Sequence, residues 1–223
     1  MSSSEYRLAA VLFIDIVGFS RMLRDNEQGA LEALQRYTGI VRDQTERRHG
    51  RVIRIVGDGI LCEFQNTTDA LTVALQIQTA LAAANRANET KIGARIGVHI
   101  GDIHFVNGDA LGEGVSIAER IQSVAKPGRV CVSQDVKSMV QGKSDVSMDP
   151  LGSVYVKGLG RSIETFEIAV SQAAEYFPAG WEPDPGNVPS EPAVRHGSGS
   201  SVDREQEAQS RYGQAFSRSL SLS

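Results

Sequence analysis

Residues 8 to 14, Leu-Ala-Ala-Val-Leu-Phe-Ile, form an unbroken apolar run rich in β-formers that stops abruptly at Asp15. Such a run reads as a buried central strand. It needs partner strands on both sides and leaves a carboxylate at its tip, where the functional groups of a sheet gather. The pattern that follows supplies the covering layers. From Asn26 to Arg48, Ala30, Leu31, Leu34, Tyr37, Ile40 and Val41 recur at helical spacing among charged residues, which predicts a long amphipathic helix. Val52–Val56 and Ile60–Phe64 flank Gly57-Asp58-Gly59 and predict a β-hairpin whose turn carries a second carboxylate.

A second amphipathic helix is expected over Thr68–Ala84, strands over Ala94–Gly101 and Asp102–Val106, and a third helix over Glu113–Ala125. Further strands are expected over Gly128–Ser133, Val146–Val156 and Ile163–Val170. Strands interleaved with helices and hairpins predict an α+β fold, one mixed, mostly antiparallel sheet covered by helices. With 223 residues, 41% of them hydrophobic, the chain can bury one core and still carry an appendage. The expected division is a short N-terminal extension over 1–7, a domain over 8–171 and a tail over 172–223. Residues 178–201 hold five of the seven prolines, with Gly and Ser, and such a segment buries too little to fold alone. Residues 203–216 could form a short helix.

A net charge of −4 provides no basic field for nucleic acid or an anionic membrane, so the expected ligand is small and held by locally placed cations. Cys62 and Cys131 sit in apolar runs without metal-site or disulfide spacing, and they read as buried thiols in a reducing compartment. No stretch approaches the roughly 18 apolar residues of a membrane span. The N-terminus also lacks the apolar region of a signal peptide, so a cytoplasmic protein is expected.

If the strands bearing Asp15 and Asp58 are neighbours, both carboxylates meet at one edge of the sheet, where they can bind hard cations such as Mg²⁺ or Mn²⁺. Gly18, Phe19 and Ser20 follow at a strand-to-helix turn whose backbone N–H groups could face a triphosphate. Taken singly, Asp15 reads better as a helix cap and Asp58 as a turn residue.

The segment Leu12-Phe-Ile-Asp-Ile-Val-Gly-Phe-Ser20, followed by Arg54-Ile-Val-Gly-Asp-Gly59, resembles the two metal motifs of class III adenylyl and guanylyl cyclases. Arg95-Ile-Gly-Val-His-Ile-Gly101 resembles that family's strand with a phosphate-binding arginine, and Asp109–Arg120 its base-selecting and transition-state segment. Val156-Lys-Gly-Leu-Gly160 resembles its triphosphate-binding lysine motif. The resemblance implies a ferredoxin-like sheet and a head-to-tail homodimer with shared active sites. It implies that Asp15, the Ile16 carbonyl and Asp58 hold two Mg²⁺ or Mn²⁺ ions while Arg95 holds phosphate. The partner chain would supply Lys157 to the triphosphate, Arg120 to the transition state, and Arg54 and Asp109 to the base. The implied reaction closes a nucleoside triphosphate, ATP first, into its 3′,5′-cyclic nucleotide.

Two positions depart from the family. Arg54 stands where adenylyl cyclases carry Lys and guanylyl cyclases Glu, and Ser116 stands where the family has Asn. A guanidinium only donates, so it suits adenine N1 or a pyrimidine carbonyl and disfavours guanine. Ser116 is shorter than Asn and needs a water to reach the ribose. A UTP or CTP cyclase, one half of a heterodimer and a nucleotide-binding regulatory module therefore stand as alternatives, and a separate regulatory protein is an expected partner. His99 and His104, expected on adjacent strands, lack metal-ligand spacing and read as structural. A diguanylate cyclase is disfavoured because its Gly-Gly-Asp/Glu-Glu-Phe turn is missing. No paired aromatics suggest an RNA-binding sheet.

Overall fold

The computed structural model describes residues 4–170. Its elements are β1 (Ser4–Ile16), α1 (Phe19–Asp25), α2 (Glu27–Arg47), β2 (Arg51–Val56), β3 (Gly59–Phe64), α3 (Thr67–Ala87) and β4 (Ala94–Val106). They continue with β5 (Asp109–Leu111), α4 (Glu113–Val124), β6 (Arg129–Ser133), α5 (Gln134–Val140), β7 (Asp149–Val156) and β8 (Arg161–Ala169). The sheet order is β2-β3-β1-β4-β6-β8-β7, with β5 paired onto β4. Every neighbouring pair is antiparallel except β4 and β6, which the α4 crossover makes parallel. The β4-β1-β3-β2 portion, with α2 and α3 as its crossovers, has the ferredoxin-like plan, and the α+β class is as expected.

Alternation along β1 sorts its side chains onto two faces. Ala10, Leu12 and Ile14 enter the main core with Tyr37 and Val41 of α2 and Val73, Ala74 and Ile77 of α3. Ala9, Val11 and the partly buried Phe13 face the other side together with Leu61 of β3, where Val115 and Ala118 of α4 cover them. The two long helices form where caps and periodicity agree. Asn26 accepts a hydrogen bond from the Gly29 N–H (3.0 Å) ahead of α2, whose buried residues Ala30, Ala33, Tyr37, Val41 and Thr45 recur every three or four positions. Asn66 does the same for Asp69 (2.8 Å) ahead of α3.

The structure differs from expectation in three places. β1 begins at Ser4, inside the segment expected to be an extension, because Ser4–Arg7 pair with Ile103–Val106. For the same reason residues 94–106 form one 13-residue strand rather than two. β1 runs beside it in unshifted register from Ile16↔Ala94 to Ser4↔Val106, and nothing breaks the ladder at Gly101. His99 and His104 therefore share a strand. The third difference is β5 and α5, which are three and seven residues long, too short for periodicity to reveal. The expected tail over 172–223, with its short helix over 203–216, lies outside the described residues. Both cysteines are buried, and burial pushes the Cys62 thiol up to about 12. Among the described residues no helix is long and apolar enough to cross a membrane.

Candidate active site

The β1–β3 register ends at Ile14↔Ile60, so the Gly57-Asp58-Gly59 turn begins alongside Asp15. On the other flank Asp15 lies directly opposite Arg95 of β4. Three charged side chains thus meet at one sheet edge. Asp58 Oδ2 accepts a hydrogen bond from the Ile16 N–H (3.0 Å), which ties the second carboxylate to the residue after the first. Arg95 clamps Asp15 bidentately, Nη2 to Oδ2 at 2.7 Å and Nε to Oδ1 at 3.1 Å, and its Nη1 donates to the Ser123 carbonyl of α4 (3.3 Å). Arg95, expected to hold phosphate, is placed here against the first carboxylate.

Burial, ahead of the Asp15 charge, raises the Asp58 carboxyl above its ordinary range, against the lowering effects of the Ile16 and Asp58 amides and Arg95. Below the turn, the fully buried Tyr37 of α2 donates its hydroxyl to the Asp58 carbonyl (3.0 Å). Gly18 has φ +71° and caps α1, which suits a residue without Cβ. Its carbonyl accepts from the Arg21 and Met22 amides, while the Phe19 ring packs on the main core and Ser20 is exposed. Among the described residues no group of three or more His, Cys, Asp or Glu side chains clusters as a metal site. Two carboxylates, one partly desolvated, nevertheless fit Mg²⁺ or Mn²⁺, which take one or two protein carboxylates and leave other positions to water and phosphate.

The remaining candidates lie on α4 and the strands around it. Arg54 Nη1 donates to both oxygens of Asp109 (3.0 and 3.3 Å), so the two residues expected to read the base are paired with one another. Ser116 is exposed and its Oγ donates back to the Gly112 carbonyl (3.3 Å). Arg120 Nε donates to the Tyr155 carbonyl of β7 (3.1 Å), and Glu113 of α4 pairs with Arg161 of β8. These two contacts join α4 to the β7–β8 hairpin, whose turn presents the exposed Lys157. A cavity of about 290 Å³ opens beside them, lined by Ser116, Glu119, Arg120, Ser123 and Val156.

The structure therefore gathers the candidates into two groups. Asp15, Ile16, Asp58 and Arg95 form one, and Ser116 and Arg120 line a cavity beside the Lys157 turn in the other, with the Arg54–Asp109 pair across β2 and β5. Two contributors escaped the sequence. Tyr37 reads only as one apolar residue of a helix face, and its hydroxyl in an otherwise aliphatic stripe was the available signal. Gly97 was the other: a Cβ there would lie less than 3.0 Å from the Ala118 carbonyl and the Gln122 amide, so glycine lets α4 seat on β4. A lone glycine inside a strand was its signal. His99 is buried, contacts Ser133 Oγ through Nδ1 (2.8 Å), and burial pushes its imidazole down to about 4. His104 Nε2 lies 2.7 Å from Ser4 Oγ.

Comparison with known proteins places the chain and its fold. The adenylate and guanylate cyclase catalytic domain model matches residues 1–170. A Rhizobium meliloti (strain 1021) protein provisionally named adenylate cyclase 3 is 32% identical over 191 residues, 84% of this chain and 32% of its own length. An adenylate cyclase of Streptomyces coelicolor is 31% identical over 127 residues, 56% of this chain and again 32% of its own length. The chain thus spans about a third of the length of these curated relatives. Among solved structures, an adenylate/guanylate cyclase/hydrolase from Silicibacter pomeroyi superposes with a TM-score of 0.70 at 31% identity, over 75% of this chain and 99% of that one. The adenylyl cyclase CyaB from P. aeruginosa, at 17% identity and a TM-score of 0.68 over 75% of this chain and 96% of that one, shares the fold. With the family model covering most of its length and its sheet edge carrying both carboxylates, the chain belongs to the adenylate and guanylate cyclase catalytic domain family.

Proposed function

We propose that this domain converts ATP to 3′,5′-cyclic AMP and pyrophosphate in a head-to-tail homodimer. The observation that carries the proposal is the meeting of Asp15 and Asp58 at one sheet edge, with the Ile16 amide fixing Asp58 and Arg95 beside them. Asp15, the Ile16 carbonyl and Asp58 would hold two Mg²⁺ or Mn²⁺ ions. The chemistry those ions supply when bound is a lowered pKa at the ribose 3′-hydroxyl and neutralisation of the departing pyrophosphate.

In the reaction the 3′-oxygen bonds to the α-phosphorus, the α–β phosphoanhydride bond breaks, and the hydroxyl proton passes to solvent. Arg95, bidentate on Asp15 in the free protein, shares its donors with a phosphate when substrate enters. The partner's Arg120 stabilises charge at the α-phosphate, its Lys157 the triphosphate, and its Ser116 the ribose through a water. Its Arg54 donates to adenine N1 while Asp109 accepts from the exocyclic amine. The amides at Gly18–Ser20, at the start of α1, would add donors near the triphosphate.

The Arg54–Asp109 pair favours one second reading. A guanidinium that meets Asp109 through Nη1 sets a donor beside an acceptor, a pairing that also fits uracil or cytosine, so UTP or CTP is the alternative substrate. The experiment is incubation with ATP, GTP, CTP and UTP in turn, with Mn²⁺ and with Mg²⁺, and identification of products by mass spectrometry. Cyclic AMP is expected. Cyclic UMP or CMP alone would move the assignment to the pyrimidines. No cyclic product from a folded, nucleotide-binding dimer would replace catalysis with a regulatory binding role.

A further inference from the structure

We infer that Tyr37 is a positioning residue for divalent-cation binding, holding the Asp58 turn in place from beneath through its hydroxyl. The inference rests on the metal-site reading of Asp15 and Asp58 and adds to it a residue that touches neither cation nor substrate.

Asp58 occupies the tip of a hairpin that the ladder closes directly at Val56↔Gly59, which leaves open how the two-residue turn is held against β1 and α2. Gly57 precedes it at φ +60°, with no heavy atom within 4 Å of where its Cβ would be, so packing at Gly57 does not fix the turn. Two hydrogen bonds fasten it to the neighbouring elements. The Ile16 amide holds the carboxylate at 3.0 Å, and the Tyr37 hydroxyl holds the backbone carbonyl at 3.0 Å. The first belongs to β1 and the second to α2, so the turn is fastened to both layers of the fold.

Tyr37 is suited to this task because packing encloses it on every side. It is fully buried, in the cluster that contains Ile14 and Ile16, which flank Asp15, and Ile60, two residues after Asp58. Desolvation by burial, followed by the charges of Asp15 and Asp58, raises its phenol well above the usual value, so the hydroxyl remains a donor at any working pH. A core position needing only volume would accept Phe. A buried hydroxyl is retained without penalty only where it has a partner, and its partner here is the Asp58 carbonyl. Second-sphere contacts of this kind set ligand orientation and hence cation affinity.

The test is Tyr37→Phe in the full chain, which keeps the ring and removes only the donor. Calorimetric titration with Mn²⁺ alone, without nucleotide, should show affinity weakened roughly tenfold, the scale of other outer-shell losses. Hydrogen exchange of the Ile16 and Gly59 amides should quicken in the same variant, and half-saturating Mn²⁺ for turnover should rise while the maximal rate at saturating metal is largely kept. Tyr37→Phe that melts earlier but binds Mn²⁺ as tightly as the unmodified protein would overturn the inference and assign the hydroxyl to stability alone. Should Tyr37→Phe misfold, Tyr37→Met, which fills similar volume without a donor, puts the same question. Unmodified protein that binds no Mn²⁺ would instead sink the metal-site reading itself, and this is read before any variant is made.

Discussion

At the scale of single residues, the site works by placing charges that need one another. Asp58→Asn should abolish metal-dependent turnover with little change in melting temperature, because the amide can still accept from Ile16 but carries no charge; an unfolded variant would mark the residue as structural. Arg54→Lys replaces the planar guanidinium that meets Asp109 through Nη1 with a compact point charge and should raise ATP use relative to UTP in a product assay across the four nucleotides; an unchanged profile would take Arg54 out of the base pocket. His99 offers a test away from the chemistry. Burial depresses its imidazole from 6.5 to about 4, while Asp135 and Glu113 oppose the shift and Arg161 reinforces it. The folded state therefore keeps it neutral, so its contribution is intact above about pH 6.5 and is lost as pH falls toward 4, a span worth roughly 3 kcal/mol. Denaturant titrations at pH 7.5 and 5 should show a smaller loss on acidification for His99→Gln than for the unmodified protein. These residues were legible to different degrees. Asp15 stood out because it ends an apolar run and Asp58 because it sits in a Gly-Asp-Gly turn between two such runs, whereas the ion pairs that occupy Arg54 and Arg95 join positions 55 and 80 apart in sequence, which no local pattern encodes.

At the scale of elements, α4 is the part whose seating matters most. Its backbone lies directly on Gly97, and from that contact Ser116 and Arg120 take their places. Gly97→Ala would drive a methyl into the Ala118 carbonyl and the Gln122 amide, backbone atoms that cannot rotate away. The expected cost is at least the roughly 1–3 kcal/mol of ordinary overpacking, with the rate constant falling more than nucleotide affinity. Chemical denaturation and steady-state kinetics on one preparation would check both; unchanged values would mean that α4 can shift freely. The long helices were readable from caps and spacing, α2 almost to the residue. β5 and α5 were not, because an element of three or seven residues exists through the neighbours it pairs or packs with rather than through any period of its own.

At the scale of the whole molecule, the domain presents two groups of residues. Asp15, Asp58 and Arg95 meet at the sheet edge, while Arg120 is tied to β7 beside the turn that carries Lys157. If each active site draws on both chains, mixing Asp58→Ala with Arg120→Ala protein should restore turnover that neither has alone, since one of the two sites in a mixed dimer is then intact; failure to complement would argue against sharing. The sequence by itself determined the α+β class, the hairpin that carries Asp58, the two long helices and the ordered motifs of the family, because each of these follows from short-range periodicity, turn chemistry or residue identity at fixed spacing. Only the tertiary structure decided that residues 4–7 extend the central strand, that 94–106 is a single strand, that Arg95 rests on Asp15, and that Tyr37 and Gly97 support the site from behind. Those outcomes depend on which strands become neighbours and in what register, and that is set by long-range pairing and packing that no local stretch of the chain specifies.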